Sequence, residues 1–247
     1  MPPGTRFQYN NAAVDFLGVV VKRVSGVQLD EYLETHLFEK LDIVGAHWMK
    51  DDEGTPLGGG ELFIRPVDLA KIGQMLLDGG KWRGEQILSP EWIKISTAAS
   101  QPFEQNCGLL FWREGTFAEV ITAPLLAWWR EAGVDGPVAE RVRPLVGKRF
   151  ESAAAVKDAL GQKLGATAFK ELSAKLKKGD HVPFSYSVEV GPVTGYSARG
   201  WLGQYLVVLP KAGIVAVRMR DAIYSDYDCG TQRHGYDDFR KEVPALF

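Results

Sequence analysis

The spacing of the apolar residues changes along this chain, and that change limits the folds it can adopt. Near the front, apolar residues recur three and four positions apart, which is typical of an amphipathic helix. They are Ala13, Val14, Phe16, Leu17, Val20, Val21 and Val24. Near the end the period falls toward two, and four β-rich runs are separated by short turns with Gly and Pro. These runs are residues 185–190, 193–199, 204–209 and 214–220. Short turns between successive strands indicate antiparallel hairpins, so the pattern predicts an α+β fold with a helical cluster beside an antiparallel sheet.

Local signals in residues 1–111 predict where several helices begin and end. Ser25-Gly26 stops the first helix, and Asp30 is a plausible N-cap for the second. Pro66 and Ser89-Pro90 each open a further helix, because proline is tolerated in the first turn. We therefore predict that this block is the helical part of one domain.

The remaining chain divides into two further blocks. Residues 112–182 follow a strand-like segment, 108–112, and then become helical and more polar, which predicts a helical insertion or cap. Ser152 is a good N-cap within it. Residues 183–247 hold the predicted strands and a closing helix over about 236–246. We expect them to complete the same domain as residues 1–111.

Composition excludes several classes of function. The 247 residues are 45% hydrophobic and 24% charged with a formal net charge of −2, which is typical of a globular protein. A near-neutral chain has no field that attracts nucleic acid or anionic lipid, so we expect no nucleic-acid partner. No run of about 18 apolar residues predicts a membrane span. The two cysteines and four histidines lack the spacing of metal ligands, so no metal is expected.

A short motif near the front suggests a catalytic ancestry. After a Pro3-Gly4 turn, Tyr9 and Asn11 form a Tyr-x-Asn triplet at the head of the apolar helix. Four later segments occur with it in a characteristic order: 45–48, 58–71, 76–82 and 88–92. Together they resemble the serine β-lactamase and penicillin-binding-protein superfamily, in particular the class C β-lactamases and their esterase relatives. The resemblance covers the front block and a shorter stretch near the end, and the middle block is not part of it.

The resemblance implies a β-lactamase/transpeptidase-like fold and the hydrolysis of a small ester or amide through an acyl-serine, without metal or organic cofactor. Tyr9 then resembles the base, and Asn11 the residue that orients the substrate by amide hydrogen bonds. A phenol ordinarily has a pKa of about 10, so such a base needs nearby cations to stabilise the phenolate or to pass the proton onward. As isolated residues, Tyr9 and Asn11 also fit a turn and a helix cap.

A third motif follows from the same resemblance. Gly200 matches the motif glycine on the strand beside the active site, and Trp201 would supply a backbone N–H to an oxyanion hole. Ala198 stands where the family has Lys or His, and Arg199 is a candidate to bind a substrate carboxylate. The Gly-x-x-Gly-Gln arrangement is similar to the esterase and aminohexanoate-oligomer hydrolase branch. A plain hairpin turn with an exposed Arg199 is the alternative.

The nucleophile motif of the family, Ser-x-x-Lys, is missing from this sequence. None of its serines is followed three residues later by lysine, and no Gly-x-Ser-x-Gly segment replaces the motif. The resemblance places that motif in an N-terminal part that this sequence lacks. We therefore expect half a site, inactive unless another chain supplies the nucleophile. The alternatives are a non-catalytic binding protein for peptidoglycan-like or small acyl ligands, and an incomplete reading frame.

The same missing part bears on partners and compartment. In the family it supplies the first strands of the sheet and the helix with the serine, so this chain alone would expose a sheet edge and a helix-binding face. Exposed edges pair readily with other chains, which predicts a homodimer or a complementing chain. Met1-Pro2-Pro3-Gly4 does not resemble a signal peptide, and the sequence leaves the compartment open.

Overall fold

A computed structural model describes residues 4–178 and 182–220, together with Phe239, Glu242 and Val243. The helices are α1 (Asn11–Ser25), α2 (Leu29–Leu33), α3 (Pro66–Leu77), α4 (Pro90–Thr97), α5 (Ala123–Glu131), α6 (Gly136–Val142), α7 (Ala153–Leu164) and α8 (Ala166–Lys178). The strands are β1 (His47–Trp48), β2 (Leu62–Phe63), β3 (Lys81–Trp82), β4 (Glu85–Gln86), β5 (Trp112–Val120), β6 (Arg149–Phe150), β7 (Tyr186–Gly200), β8 (Gln204–Leu209) and β9 (Ile214–Arg218). A π-helical turn, Glu34–Phe38, follows α2.

Contacts between residues divide the chain into two compact units that interleave along the sequence. Unit 1 consists of Met1–Gln8, Ala99–Gly108 and Gly115–Val193. Unit 2 consists of Tyr9–Ala98, Leu109–Glu114 and Thr194–Phe247. The blocks predicted from the sequence are consecutive, whereas these units are assembled from separate segments.

The main sheet has five strands in the order β6-β5-β7-β8-β9. The pairs β5/β6, β7/β8 and β8/β9 are antiparallel. In the β7/β8 hairpin, Gly200 pairs with Gln204 and Tyr196 pairs with Val208. The mixture of helices with an antiparallel sheet confirms the predicted α+β class.

In unit 2 the ends of α1 follow from local sequence. The Asn10 side chain accepts a hydrogen bond from the Ala13 N–H at 3.3 Å and caps the helix N-terminus. At the other end Gly26 adopts φ 84°, and its N–H donates to the Lys22 carbonyl, as the predicted stop requires. The cap places the Tyr-x-Asn triplet at the start of α1: Tyr9 precedes the capping residue Asn10, and Asn11 is the first residue of the helix.

Helix α3 lies directly against the sheet in unit 2. Gly73 makes this possible, because a Cβ there would lie 2.5 Å from Val215 Cγ1 and 2.6 Å from Leu206 Cδ1. Pro66 occupies the first turn, as the sequence predicts. The apolar core of this unit includes Leu41 and Met75, both almost fully buried.

In unit 1 the helices α5 to α8 surround a core of their own. Trp129, Leu160 and Leu172 are among its buried residues, and the Trp129 indole N–H donates to the Pro183 carbonyl at 2.9 Å. The Ser152 hydroxyl accepts from the Ala155 N–H at 3.1 Å, which confirms Ser152 as the N-cap of α7. This core also includes Tyr186, which lies outside the helical block predicted over 112–182.

Three local predictions are wrong. The second helix is capped by Gln28 rather than Asp30, which instead pairs with Lys50 at 2.6 Å. The strand expected over 108–112 begins only at Trp112 and runs to Val120. The turn expected at Gly191-Pro192 does not form, because β7 continues through it.

The continuation of β7 has a steric reason in unit 1. A Cβ on Gly115 would lie 2.7 Å from the Pro192 carbonyl oxygen and 2.9 Å from Val193 Cα. Glycine on β5 thus lets the two backbones approach at the proline, which has no N–H for a ladder bond. Of the closing helix predicted over 236–246, only Phe239, Glu242 and Val243 are described, each helical, and the rest lies outside the described residues.

Candidate active site

Tyr9 lies in an extended segment just before α1, and its side chain is exposed. The residue is 62% accessible, and its ring stacks on Trp112 with centroids 6.2 Å apart and an interplanar angle of 21°. The proposed base thus has a packed face and an open face. An exposed phenol is accessible to a reacting group, whereas a buried one would not be.

Asn11 starts α1 beside a glycine-rich segment of unit 2. The Gly59 N–H donates to Asp15 Oδ1 at 2.7 Å, and a Cβ on Gly59 would lie 2.8 Å from the Asn11 carbonyl oxygen. Only glycine fits at this approach. The Gly58-Gly59-Gly60 segment, one of those that carried the resemblance, therefore packs against the first turn of α1.

Gly200 and Trp201 lie at the turn from β7 to β8. Gly200 has extended backbone, φ −109° and ψ 168°, and a Cβ there would lie 3.0 Å from Gln204 Cβ. Trp201 opens a single 3-10 turn, and 67% of the residue is exposed. The turn therefore presents an indole ring to solvent, at the position that the sequence assigned to an oxyanion-hole N–H.

Arg199 is engaged by neighbours on β5 and β7. Its Nη2 donates to Glu114 Oε1 at 2.9 Å, and its Nε donates to the Ser197 hydroxyl oxygen at 3.0 Å. Its guanidinium carbon lies 5.0 Å from the centre of the Trp112 ring. A substrate carboxylate at Arg199 would therefore compete with Glu114. The exposed Arg199 of the plain-hairpin alternative is not observed, since the side chain is only 21% accessible.

The structure brings part of the predicted site together around Trp112, a residue that sequence reasoning did not select. Tyr9 and Arg199 both contact its ring, while among the described ring contacts none joins Trp201 to this group. Glu114 was missed as well, and it is 6% exposed. A buried acid needs a cationic partner. The sequence shows neither that Glu114 is buried nor which arginine pairs with it.

Serine and acid side chains near these segments have structural roles. Ser197 is fully buried, and its hydroxyl donates to Glu114 at 2.5 Å, so it is not placed to attack a substrate. Asp68, in the first turn of α3, is buried between Arg65 at 2.5 Å and Lys71 at 2.8 Å. Burial alone would raise the pKa of Asp68, but hydrogen bonds and positive charge from these partners lower it below its ordinary value.

Unit 1 contains a separate pair of carboxylates. Glu104, 8% exposed, accepts the Ser187 N–H at 3.3 Å, while Glu119 accepts the hydroxyls of Ser187 at 2.6 Å and Ser185 at 2.5 Å. Burial, with the negative charge of Glu119, raises the pKa of Glu104 to about 7. The hydrogen bond between Glu104 and the Ser187 N–H ties the 99–108 segment to β7.

Two features are absent from the part of the chain that the structure describes. Within 4–178 and 182–220, with the three described tail residues, no helix is long and apolar enough to cross a membrane. In the same part of the chain no three His, Cys, Asp or Glu side chains converge as metal ligands would.

Comparison with known proteins assigns the family. The Beta-lactamase family model matches residues 1–221, and the chain belongs to that family. This confirms the resemblance seen in the sequence. A curated relative, the 6-aminohexanoate-dimer hydrolase of Paenarthrobacter ureafaciens, is 37% identical over 89 residues, which is 36% of this chain and 23% of the relative.

Two solved structures share the fold. One, from Bacillus anthracis and provisionally named a 6-aminohexanoate-dimer hydrolase, has a TM-score of 0.50 at 17% identity and covers 99% of this chain and 46% of its own. The other, from Bacteroides dorei DSM 17855, is provisionally named a beta-lactamase. It has a TM-score of 0.51 at 18% identity, and the match covers 100% of this chain and 60% of that one. This chain thus spans about half the length of these solved relatives.

Proposed function

We propose that this chain contributes one wall of an acyl-transfer site of the serine-hydrolase type, used on small esters or amides. The observation that carries the proposal is the position of Tyr9, exposed at the head of α1 with its ring seated on Trp112, in a chain of the Beta-lactamase family. Tyr9 would accept the proton of a serine hydroxyl as that oxygen attacks the carbonyl.

The other predicted residues have supporting roles in this proposal. The Asn11 amide orients the substrate, and the backbone N–H of Trp201 donates to the oxyanion that develops in the transition state. Gly200 adds no side chain at the end of β7, where the substrate would bind. Arg199 belongs to the same strand, and a substrate carboxylate at its guanidinium would have to displace Glu114.

Hydrolysis also needs a nucleophile, and we propose that it comes from outside these 247 residues. The sequence holds no Ser-x-x-Lys segment, and Ser197, the serine beside Arg199, is buried and bonded to Glu114. The isolated chain is then inactive. Its substrate class is suggested by the relative named for the 6-aminohexanoate dimer, whose monomers an amide bond would join.

The decisive experiment measures turnover by the purified 247-residue chain, with p-nitrophenyl butyrate and the 6-aminohexanoate dimer as substrates. We expect rates equal to those of the Tyr9→Phe variant and no covalent label from a fluorophosphonate probe. Co-expression with the Ser-x-x-Lys-bearing part of a family member should restore turnover that Tyr9→Phe abolishes. Turnover by the chain alone, lost in Tyr9→Phe, would disprove inactivity and still assign the base.

A non-catalytic binding protein is the second candidate, favoured by the exposed rings of Tyr9 and Trp201. In this alternative the two rings would pack against a small acyl or peptidoglycan-like ligand, and binding needs no nucleophile. Under this alternative, calorimetry would detect such a ligand and Trp201→Ala would weaken it, while the co-expressed segment would restore no turnover.

We further propose that the chain works as a homodimer or with a complementing chain. The proposal is supported by the exposed apolar side chains of α1, among them Phe16 and Val24 at 64% and 83% accessible. Sedimentation of the purified protein as a single monomeric species at micromolar concentration would contradict the homodimer.

A further inference from the structure

A series of contacts in unit 2 leads from a buried carboxylate to the ring of Tyr9. Glu114 Oε1 accepts hydrogen bonds from the Ser197 hydroxyl at 2.5 Å and from Arg199 Nη2 at 2.9 Å. The Arg199 guanidinium lies 5.0 Å from the centre of the Trp112 ring, and that ring stacks on Tyr9 at 6.2 Å. The exposed tyrosine is thus connected to the interior through three side chains.

Each contact in the series restricts the next one. A carboxylate that is 6% exposed is costly unless it is paired and hydrogen-bonded, so Glu114 holds Arg199 in one orientation. A guanidinium fixed in this way presents a flat, charged face to an indole, and such stacking is favourable when it is partly desolvated. Trp112 is then held in place as a platform against which the Tyr9 ring packs.

The orientation of the Tyr9 ring depends on the side chains that pack against it. The residue is 62% exposed and lies in extended backbone ahead of α1. A group that transfers a proton must be held within about 0.5 Å of its productive position, and an error of about 1 Å can cost a factor of about 100 in rate.

We propose that Glu114, Arg199 and Trp112 are positioning residues that orient the Tyr9 phenol. The inference rests on the proposed function only for the role of Tyr9 as a base. It gives Arg199 a task different from binding a substrate carboxylate, because two of its nitrogens are held by Glu114 and Ser197. Trp112 is then the side chain through which a buried ion pair acts on an exposed catalytic group.

The test observes the Tyr9 ring directly, by NMR of protein labelled with ring-¹³C tyrosine. The Tyr9 resonance is the one absent from Tyr9→Phe. Stacking on an indole should displace it upfield of its random-coil position. Trp112→Leu should abolish this displacement, and Trp112→Phe, which keeps an aromatic platform, should retain part of it.

Glu114 and Arg199 provide the stricter test, since neither touches Tyr9 in the described contacts. Arg199→Met should remove most of the upfield displacement. Because that change leaves Glu114 without its cation, the double variant Glu114→Gln/Arg199→Met is measured beside it. Arg83→Met is the matched control, since Arg83 pairs with Asp42 at 2.6 Å and lies 5.8 Å over the Trp82 ring elsewhere in the unit. It should leave the Tyr9 resonance unchanged.

A Tyr9 resonance at its random-coil position in the unaltered protein would overturn the inference. So would an unchanged resonance in both Arg199 variants, with backbone amide spectra showing that they remain folded. These measurements use no substrate, so their failure differs from a failure of the proposed function, which appears as turnover in the co-expressed pair that survives Tyr9→Phe. If the chain proves inert, the spectroscopic result still decides whether the series orients Tyr9.

Discussion

The helices α5 to α8 of unit 1 and the helix α1 of unit 2 use similar apolar residues in opposite ways. Trp129, Val156 and Leu160 in the first group are completely buried. In α1 only Gly18 is buried, and large apolar residues such as Phe16 and Val24 are 64% and 83% exposed. Apolar periodicity predicted α1, and the Ser152 N-cap predicted a helix in the other group. Neither signal predicted which face is covered, because coverage depends on contacts distant in sequence.

The inner face of α1 explains how the helix is nevertheless held. A Cβ on Gly18 would touch Leu29 Cδ2 at 3.6 Å and the Pro56 carbonyl at 3.6 Å, and Asp15 accepts the Gly59 N–H. This contact surface is small and partly polar. Its stripe of apolar side chains is consistent with the proposed partner.

The largest effect should come from breaking the core of unit 1. Leu160→Ala removes a fully buried side chain and leaves a cavity, so we expect a loss of about 3 to 4 kcal/mol in the free energy of unfolding. Urea denaturation followed by tryptophan fluorescence measures it. A loss below about 1 kcal/mol would mean that this core is not closed as described.

A slightly smaller effect should appear as a pH dependence of unit 1. Because the pKa of Glu104 is raised from 4.5 to about 7 in the folded protein, the folded state binds more protons than the unfolded state between these values. The free energy of unfolding should then fall by about 3 kcal/mol as pH rises from about 4.5 to 7. Above that range the contribution of Glu104 to the free energy of unfolding should be constant.

Denaturation of Glu104→Gln across the same range should show a flatter profile. Glu189→Gln, a substitution of an exposed acid in the same unit, is the matched control and should keep the original slope. Hydrogen exchange at the Ser187 amide, which donates to Glu104, reports the same event locally. Identical slopes in all three proteins would show that Glu104 is not the responsible group.

The smallest effect should come from a leucine-to-alanine substitution on α1. Leu17 is 47% exposed, so Leu17→Ala should change the free energy of unfolding of the isolated chain by no more than about 0.5 kcal/mol. The comparison with Leu160→Ala holds the chemistry constant and varies only burial. A cost at Leu17 similar to that at Leu160 would show that the α1 stripe is covered in solution.

Predictions from sequence succeeded where the deciding contact is local. The stop of α1 at Gly26, the first-turn Pro66 and the N-cap Ser152 each depend on groups within four residues, and all three are observed. The hairpin from β8 to β9 follows for the same reason. The cap at Asp30 failed because Gln28, two residues earlier, occupies the N-cap position.

Predictions failed where a distant segment changes the local preference. Gly191-Pro192 has the composition of a turn, yet β7 continues through it because Gly115 permits close approach. The candidate site shows the same limit. Tyr9 and Arg199 were selected from motifs, but Trp112, which contacts the Tyr9 ring and the Arg199 guanidinium, carried no signal of its own.

The sequence by itself determined the family, the α+β class and the ends of several helices, because these depend on motif order and on neighbours one turn away. Tertiary structure alone decided that Arg199 pairs with Glu114, 85 positions away, and that burial beside Glu119 raises the pKa of Glu104. Both are effects of desolvation and charge between distant segments. Such effects exist only once the chain has folded, when those segments lie close enough to exclude water.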